Sequence, residues 1–383
     1  MRLATLSPTS HDPHPQPLPT RGRGAHRSRG KLWINTTGTR CSLALAGALI
    51  AGAAIPAGAQ QTTPIGVSYQ PALYWSLPYY IASEKGWWKE AGLEPQFSTF
   101  PSGAPQMAAA GSKSWDVGGT GSAPATLGAQ RFDILTIGIT NDESTGNALM
   151  TRKGETDAVR KNPGELKGKQ MLLTTNSTGE YAALACLAKW GLGPKDMQLV
   201  NLNQQEIISA FATGTGALAA VWAPNIYTLE ERTGAQLICS GKEAGVTIPG
   251  ALVVRRAYAE QNPDKVAAYL AVYLRAIAWE KTHRDETIKL MKEFYQKTGV
   301  NLPEKYLARE IATRPTFTLD EQIRLFDRAG DNSDVDKWFT KLGEYLKSTG
   351  TLQDAPDPRN FATDAYLKRV AADPKLQAFA QAK

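Results

Sequence analysis

Histidine is scarce in this 383-residue chain, and unevenly placed. Of four histidines, His11, His14 and His26 fall within the first 59 residues, which leaves His283 for everything after. A single imidazole cannot build a His-clustered metal site, and it gives a Ser-His-Asp arrangement almost no raw material. Cysteine is equally sparse, with Cys186 and Cys239 the two beyond residue 59. An oxidising compartment permits a bridge between them, and two buried small side chains fit the sequence as well. There is no Gly-x-Ser-x-Gly elbow, no phosphate-cradling P-loop and no His-Glu-x-x-His pair, so the reading is no enzyme, no metal and no cofactor.

Excess charge is also missing where it would matter. The chain carries 43 basic and 36 acidic residues, but seven of the basic ones and one acid lie in residues 1–59. The rest holds 36 against 35, a net charge of +1. A nearly neutral body lacks the broad positive footprint that nucleic acid requires, so no nucleic-acid partner is expected.

The first 59 residues read as an address. Residues 7–30 are rich in Pro, Arg, Gly and Ser and cannot bury enough surface to fold. A basic stretch, 31–40, precedes fifteen uncharged, small or apolar residues, 41–55, and then Ala57-Gly58-Ala59. That order is a disordered leader followed by a secretory signal peptide, with cleavage after about Ala59 and a soluble periplasmic product. A membrane anchor is the alternative, but fifteen residues fall short of the roughly 20 that a bilayer needs.

Short apolar strands and helices then alternate. Strand patterns fall at 64–69, 93–100, 117–119, 134–139 and 148–151, and again at 169–174, 197–202, 217–222, 235–239 and 250–254. Helical spacing runs over 77–89, closed by Gly92, and over 123–130, 179–190, 204–212 and 224–233. Such alternation means βαβ units, a largely parallel sheet and the α/β class. From residue 256 the pattern is helical throughout. Val266, Leu270, Tyr273, Leu274 and Ile277 form one stripe, better read as core contact than as a membrane face. The polar stretch 151–168 suits a crossing between two lobes, with a return near 245–251.

Ligands in open α/β sheets collect beyond strand ends, where helix starts offer free N–H groups. Three segments have that form. Gln70 to Trp75, with Tyr74, sets aromatic rings in a loop, either for a ligand or to cover the first helix. Gly118 to Pro124 brings Thr120, Gly121 and Ser122 to a helix start. Asn176, Ser177 and Thr178 do the same, and ordinary capping by the hydroxyls is the plain alternative. Trp222 ends a further strand. Asp142 and Glu143 follow the strand 134–139 and can meet a cationic group or simply form a solvated loop.

At these residues the chain resembles the periplasmic substrate-binding proteins of ABC importers for taurine, alkanesulfonates and nitrate, a family that includes binders of thiamine-pyrimidine precursors. The segment 78–93 (PYYIASEKGWWKEAGL) is similar to the family's first helix. Ser102-Gly103 with 109–124 (AAGSKSWDVGGTGSAP) resembles its Asp-Gly-Gly-Pro segment, with Asp116 in the Asp position. Leu166-Lys167-Gly168-Lys169 opens the second half, and 211–224 (FATGTGALAAVWAP) resembles the Trp-x-Pro segment. Ala217 stands where the family often has Asp. The cysteine-rich iron motif of the enzymatic, pyrimidine-making relatives is absent.

The resemblance implies a type II two-lobed periplasmic binding protein fold, with lobe 1 from 60–150 plus 250–383, lobe 2 from 151–249, and the helical tail packed on lobe 1. It implies ligand contacts at Gln70, Tyr74, Trp75, Ser102, Gly103, Thr120, Gly121, Ser122, Asn176, Ser177, Thr178 and Trp222, and Asp142 is a further candidate contact from its place after the strand 134–139. The expected function is capture of a small organic anion, sulfonate- or taurine-like, nitrate or an aromatic acid, by a monomer that hands it to an inner-membrane ABC permease. The alternatives are an enzyme on the same fold that uses Asp142 or Glu143, and a ligand sensor for a membrane receptor.

Overall fold

The computed structural model describes residues 62–383. The leader and signal peptide expected over 1–59 lie outside the described residues. Ten strands follow one another: β1 Thr63–Tyr69, β2 Leu93–Thr99, β3 Val117–Gly121, β4 Ile134–Asp142, β5 Asn147–Thr151, β6 Gln170–Leu173, β7 Gln198–Asn201, β8 Leu218–Trp222, β9 Gln236–Ser240 and β10 Pro249–Arg255. They form two five-stranded sheets, ordered β2-β1-β3-β10-β4 and β7-β6-β8-β5-β9.

The two sheets share one plan. β1 runs parallel to β2 and β3, and β6 parallel to β7 and β8. A single antiparallel strand enters each sheet between the third strand and the last: β10 in the first, β5 in the second. Each of these strands is the first that the chain makes after leaving the other sheet. The outward link is residues 143–146 and the return link 241–248, so the outward passage precedes the polar stretch 151–168. That stretch is polar because it carries a surface helix, Thr156–Lys161, with no buried residue. The links are tied together, since Glu143 N donates to the Ile248 carbonyl at 2.8 Å and Ile248 N to Ser144 Oγ at 2.9 Å.

The central strands are covered on both faces, and in β8 (LAAVW) this gives a continuous apolar run. Every residue of β3, β5 and β8 is buried. The helix expected over 77–89 is two helices, Leu77–Glu84 and Trp87–Glu90. Gly86 parts them in left-handed backbone (φ 75°), which a residue with a Cβ adopts only at a cost. The break swings Trp88 onto Tyr269, with ring centroids 6.3 Å apart.

Beyond β10 the chain is helical, as its pattern predicts. The stripe at 266–277 belongs to the helix Pro263–Glu280, and all five stripe residues are buried. That helix packs on Leu77–Glu84 and on the last two helices, Ala365–Ala372 and Pro374–Ala380. The tail also reaches the second sheet's helices. Tyr306 stacks on Tyr227 with centroids 5.3 Å apart, and Tyr345 meets Tyr181 at 4.6 Å. Cys186 and Cys239, for which the sequence left two readings open, form a disulfide (Cα–Cα 6.0 Å) that ties the helix Thr178–Lys189 to β9. Among the described residues no helix is long and apolar enough to cross a membrane.

Candidate functional site

The carboxyl ends of β1 and β3 in one sheet and β6 and β8 in the other converge. A chamber of about 20 Å³ lies there, walled by residues that include Gln70, Trp75, Gly121, Ser177, Thr178 and Trp222. A larger cleft of about 500 Å³ opens beside it and shares Gln70, Leu73 and Trp222 with it. The cleft's far wall is the second sheet's helix starts, at Asn203, Gln204, Gln205 and Asn225, with the tail loop 298–302 across the mouth.

Each sheet sets one glutamine at this junction. Gln70 Nε2 donates to Gln106 Oε1 at 3.1 Å and to Thr120 Oγ1 at 3.2 Å. Gln204 Nε2 donates to Thr174 Oγ1 at 3.1 Å, and Gln204 Oε1 accepts from Asn225 Nδ2 at 3.2 Å. Gln204 is held through both atoms of its amide and Gln70 through Nε2, which fixes their orientation and suits them to reading a ligand's polar atoms.

Two helix starts face each other across the chamber. The helix Ser122–Phe132 begins at Gly121 without a side-chain cap, and Ser122 Oγ is buried with no hydrogen-bond partner. The helix Thr178–Lys189 begins at Ser177, whose Oγ accepts from Glu180 N at 3.2 Å and donates to the Thr174 carbonyl at 2.6 Å. The first start therefore offers unsatisfied donors to an anion, and the second is largely self-capped. A Cβ at Gly121 would lie 2.7 Å from Thr178 Cγ2, so the two starts touch because residue 121 has no side chain.

Behind the chamber sits a buried charge cluster. Arg314, 1% exposed, follows the tail helix Glu304–Thr313 and lines the chamber together with Glu143. Its Nη1 donates to Glu310 Oε1 at 2.6 Å and its Nη2 to Glu143 Oε1 at 3.2 Å, while Nε is buried without a partner. Glu310 is fully engaged, since its Oε2 also accepts from Tyr295 Oη at 2.9 Å. Burial pushes the Glu143 carboxyl up to about 7 against the pull of Arg314. Burial likewise raises Glu310, and the two carboxylates hold the Arg314 guanidinium above its usual range. Glu280, at the end of the helix Pro263–Glu280, is raised to about 8 by burial and bonds to Tyr74 Oη at 3.4 Å.

The sequence-predicted residues divide accordingly. Gln70, Trp75, Gly103, Gly121, Ser177, Thr178 and Trp222 line the chamber. Thr120 and Ser122 are buried just behind it, Thr120 as the acceptor that fixes Gln70. Tyr74 points into the core toward Glu280, and Ser102 precedes the helix Gly103–Ala110 at its start. Asn176, in left-handed backbone (φ 57°), lends its N–H to Glu180 at 2.8 Å and lines neither cavity. Asp142 also lines neither, because its carboxylate caps the amide and hydroxyl of Ser144. Asp116 accepts from Gly66 N at 2.9 Å and pairs with Arg255 at 2.6 Å, a bracing role within the first sheet.

Gln204 and Arg314 were not singled out from sequence, and Asn225 was marked only as the end of the strand-to-helix segment 222–225. Gln204 and Asn225 sit at strand-to-helix junctions like the three segments that were singled out. Arg314 gave no local signal, because only the folding back of the tail brings it here.

An α/β pair of sheets with this shared order, and a ligand-sized cleft at their facing strand ends, is the periplasmic binding protein fold. The aliphatic sulfonate-binding protein SsuA of Escherichia coli has it too: TM-score 0.63 at 20% identity, over 79% of this chain and 97% of that one. The model of the family described as NMT1/THI5 like matches residues 75–287, and this chain belongs to that family. A Bacillus subtilis protein named for binding aliphatic sulfonates is 28% identical over 308 residues, 76% of this chain and 91% of its own. The taurine-binding periplasmic protein of Escherichia coli is 31% identical over 225 residues, 58% of this chain and 68% of its own. The relatives are thus named as binding proteins rather than enzymes.

Proposed function

We propose that this chain is an exported solute-binding protein that captures a small organic anion between two lobes, one built on each sheet, and delivers it to an ABC import permease. The observation that carries the reading is the chamber. The uncapped start of the helix Ser122–Phe132, through Gly121 and Pro124, and the buried Arg314 line it together with Trp75 and Trp222. Free N–H groups and a guanidinium favour an anionic head, and the rings cover an apolar body. Gln70, Ser177, Thr178 and Trp222 are the contacts that the solute makes as the lobes close on it. The closed form is selected because the solute touches both sheets at once. The names of the relatives, which specify sulfonates and taurine, support an anion of the sulfonate class.

Thermal unfolding of the exported chain against taurine, alkanesulfonates, aromatic sulfonates, aromatic carboxylates, nitrate and pyrimidines tests this. A solute at 100 times its dissociation constant stabilises the fold by about 2.7 kcal/mol. A rise in Tm with the organic anions alone is the expected result, with the solute recovered unchanged. A rise with pyrimidines alone, no rise at all, or conversion of the solute to product overturns it.

A further inference from the structure

The guanidinium of Arg314 is incompletely used, and the group that half-uses it is the weakest partner in its cluster. A guanidinium grips an anion best along one edge, through two parallel N–H bonds. The Nη1 side is closed by Glu310 at 2.6 Å, a carboxylate that Tyr295 also holds. The Nε–Nη2 edge carries a single bond of 3.2 Å to Glu143, and its Nε–H has no acceptor. Gly146 packs against that edge, since a Cβ on it would lie 2.8 Å from Nε, so the edge is approached from the chamber side. Glu143 and Arg314 both line the chamber that the proposed solute enters.

Resting on the solute-binding reading above, we infer that Arg314 takes the solute's anionic group on its Nε–Nη2 edge and that Glu143 yields the place by accepting a proton from water. The uncharged carboxylic acid stays in the site, and the charge on that edge is conserved: one carboxylate is neutralised as one anion arrives. A buried acceptor is at hand for the new O–H. Asn147, whose Nδ2 donates to the Glu143 carbonyl at 3.1 Å, has an Oδ1 with no partner.

The surroundings of Glu143 favour the exchange. Arg314 and Glu310 face it from the tail, Asp142 adjoins it in the chain, and Tyr273 lies near it on the helix Pro263–Glu280. Arg314 is the single cation among these, already shared with Glu310, so a second negative charge beside Glu143 is tolerated only if Glu143 loses its own. Its carboxyl already titrates near 7, and an arriving anion raises it further.

Calorimetric titration of the exported chain with ethanesulfonate, benzenesulfonate, acetate and benzoate tests the inference, because none of these anions changes charge between pH 6 and 9. Runs at pH 7.5 in two buffers of different ionisation enthalpy count the protons exchanged. The wild type is expected to take up a large fraction of one proton, and its affinity to fall about tenfold per pH unit above 7.5. Glu143→Gln, the isosteric neutral form, is expected to abolish the uptake and flatten the pH profile. Glu280→Gln, outside the chamber, is expected to leave both unchanged. Arg314→Lys, which keeps the charge but loses the edge, is expected to cost at least tenfold in affinity. If that variant does not fold, the proton count and Glu143→Gln still decide. Binding without proton uptake, or a pH profile that survives Glu143→Gln, sinks this inference alone. Failure of all four anions to bind the wild type sinks the solute-binding reading and this inference with it.

Discussion

Gly121, at the end of β3, and Thr178, at the start of the helix after β6, are in contact across the two sheets: a Cβ at 121 would lie 2.7 Å from Thr178 Cγ2. The backbone of Gly121 is extended (φ −75°, ψ 160°), so alanine suits its conformation and only the neighbour objects. Gly121→Ala is expected to cost about 1–3 kcal/mol of stability and to weaken solute binding by holding the helix starts apart. Thr178→Ser, which removes Cγ2, is expected to restore most of both losses. Urea unfolding and titration of the two single variants and the double variant check this as a cycle.

The Cys186–Cys239 bridge closes a segment with a sequence separation of 53. Removing that constraint from the unfolded chain, by Cys186→Ala with Cys239→Ala, is expected to cost about 4 kcal/mol in the chain-entropy account. Neither residue lines the cleft or the chamber, so solute affinity should change less than twofold. Urea denaturation with and without reductant, followed by titration, separates the two effects.

Glu280 gives stability a pH slope of known sign. Its folded carboxyl titrates near 8, against about 4.3 in an unfolded chain. The stability tied to its neutral form is whole below about pH 4 and is lost as pH rises toward 8. Glu280→Gln fixes the neutral form. It is expected to match the wild type near pH 4.5 and to exceed it by on the order of 4 kcal/mol at pH 8.5. Denaturation midpoints at the two pH values check it.

Trp222 borders both the chamber and the larger cleft, and it packs over the start of the helix Thr178–Lys189, where a Cβ on Gly179 would lie 3.2 Å from its ring. Trp222→Phe keeps an apolar ring in the wall with less contact area. It is expected to lower affinity for benzenesulfonate about tenfold and for ethanesulfonate by less. Titration with both compounds gives the comparison.

Strands were the most legible part of the sequence, because β8 and the first six residues of β4 are largely apolar, and β3, β4 and β8 end at Gly, Asp and Trp-x-Pro signals. The helix over 77–89 was overextended, since its apolar spacing continues through Gly86 and only the backbone angle there breaks it. At the site, Gln70, Gly121 and Trp222 were legible because strand-to-helix loops announce themselves. The assignment of Asp142 instead of Glu143 turned on a single step along the chain. Two adjacent acids look alike in sequence, but one is consumed by the Ser144 turn and the other faces Arg314. Arg314 was illegible because its meaning depends on contacts across 171 residues of chain, set by how the helical tail folds back.

Glu143 lies in the four residues that join β4 to β5. A tether so short has no slack, and this one is pinned to the return link through Ile248. On the proposed mode of binding, a rearrangement at the Glu143 carboxyl acts directly on the backbone that joins the two sheets. In that reading sensor and pivot are one segment, and news of an occupied pocket has no distance to travel before it becomes a change of shape.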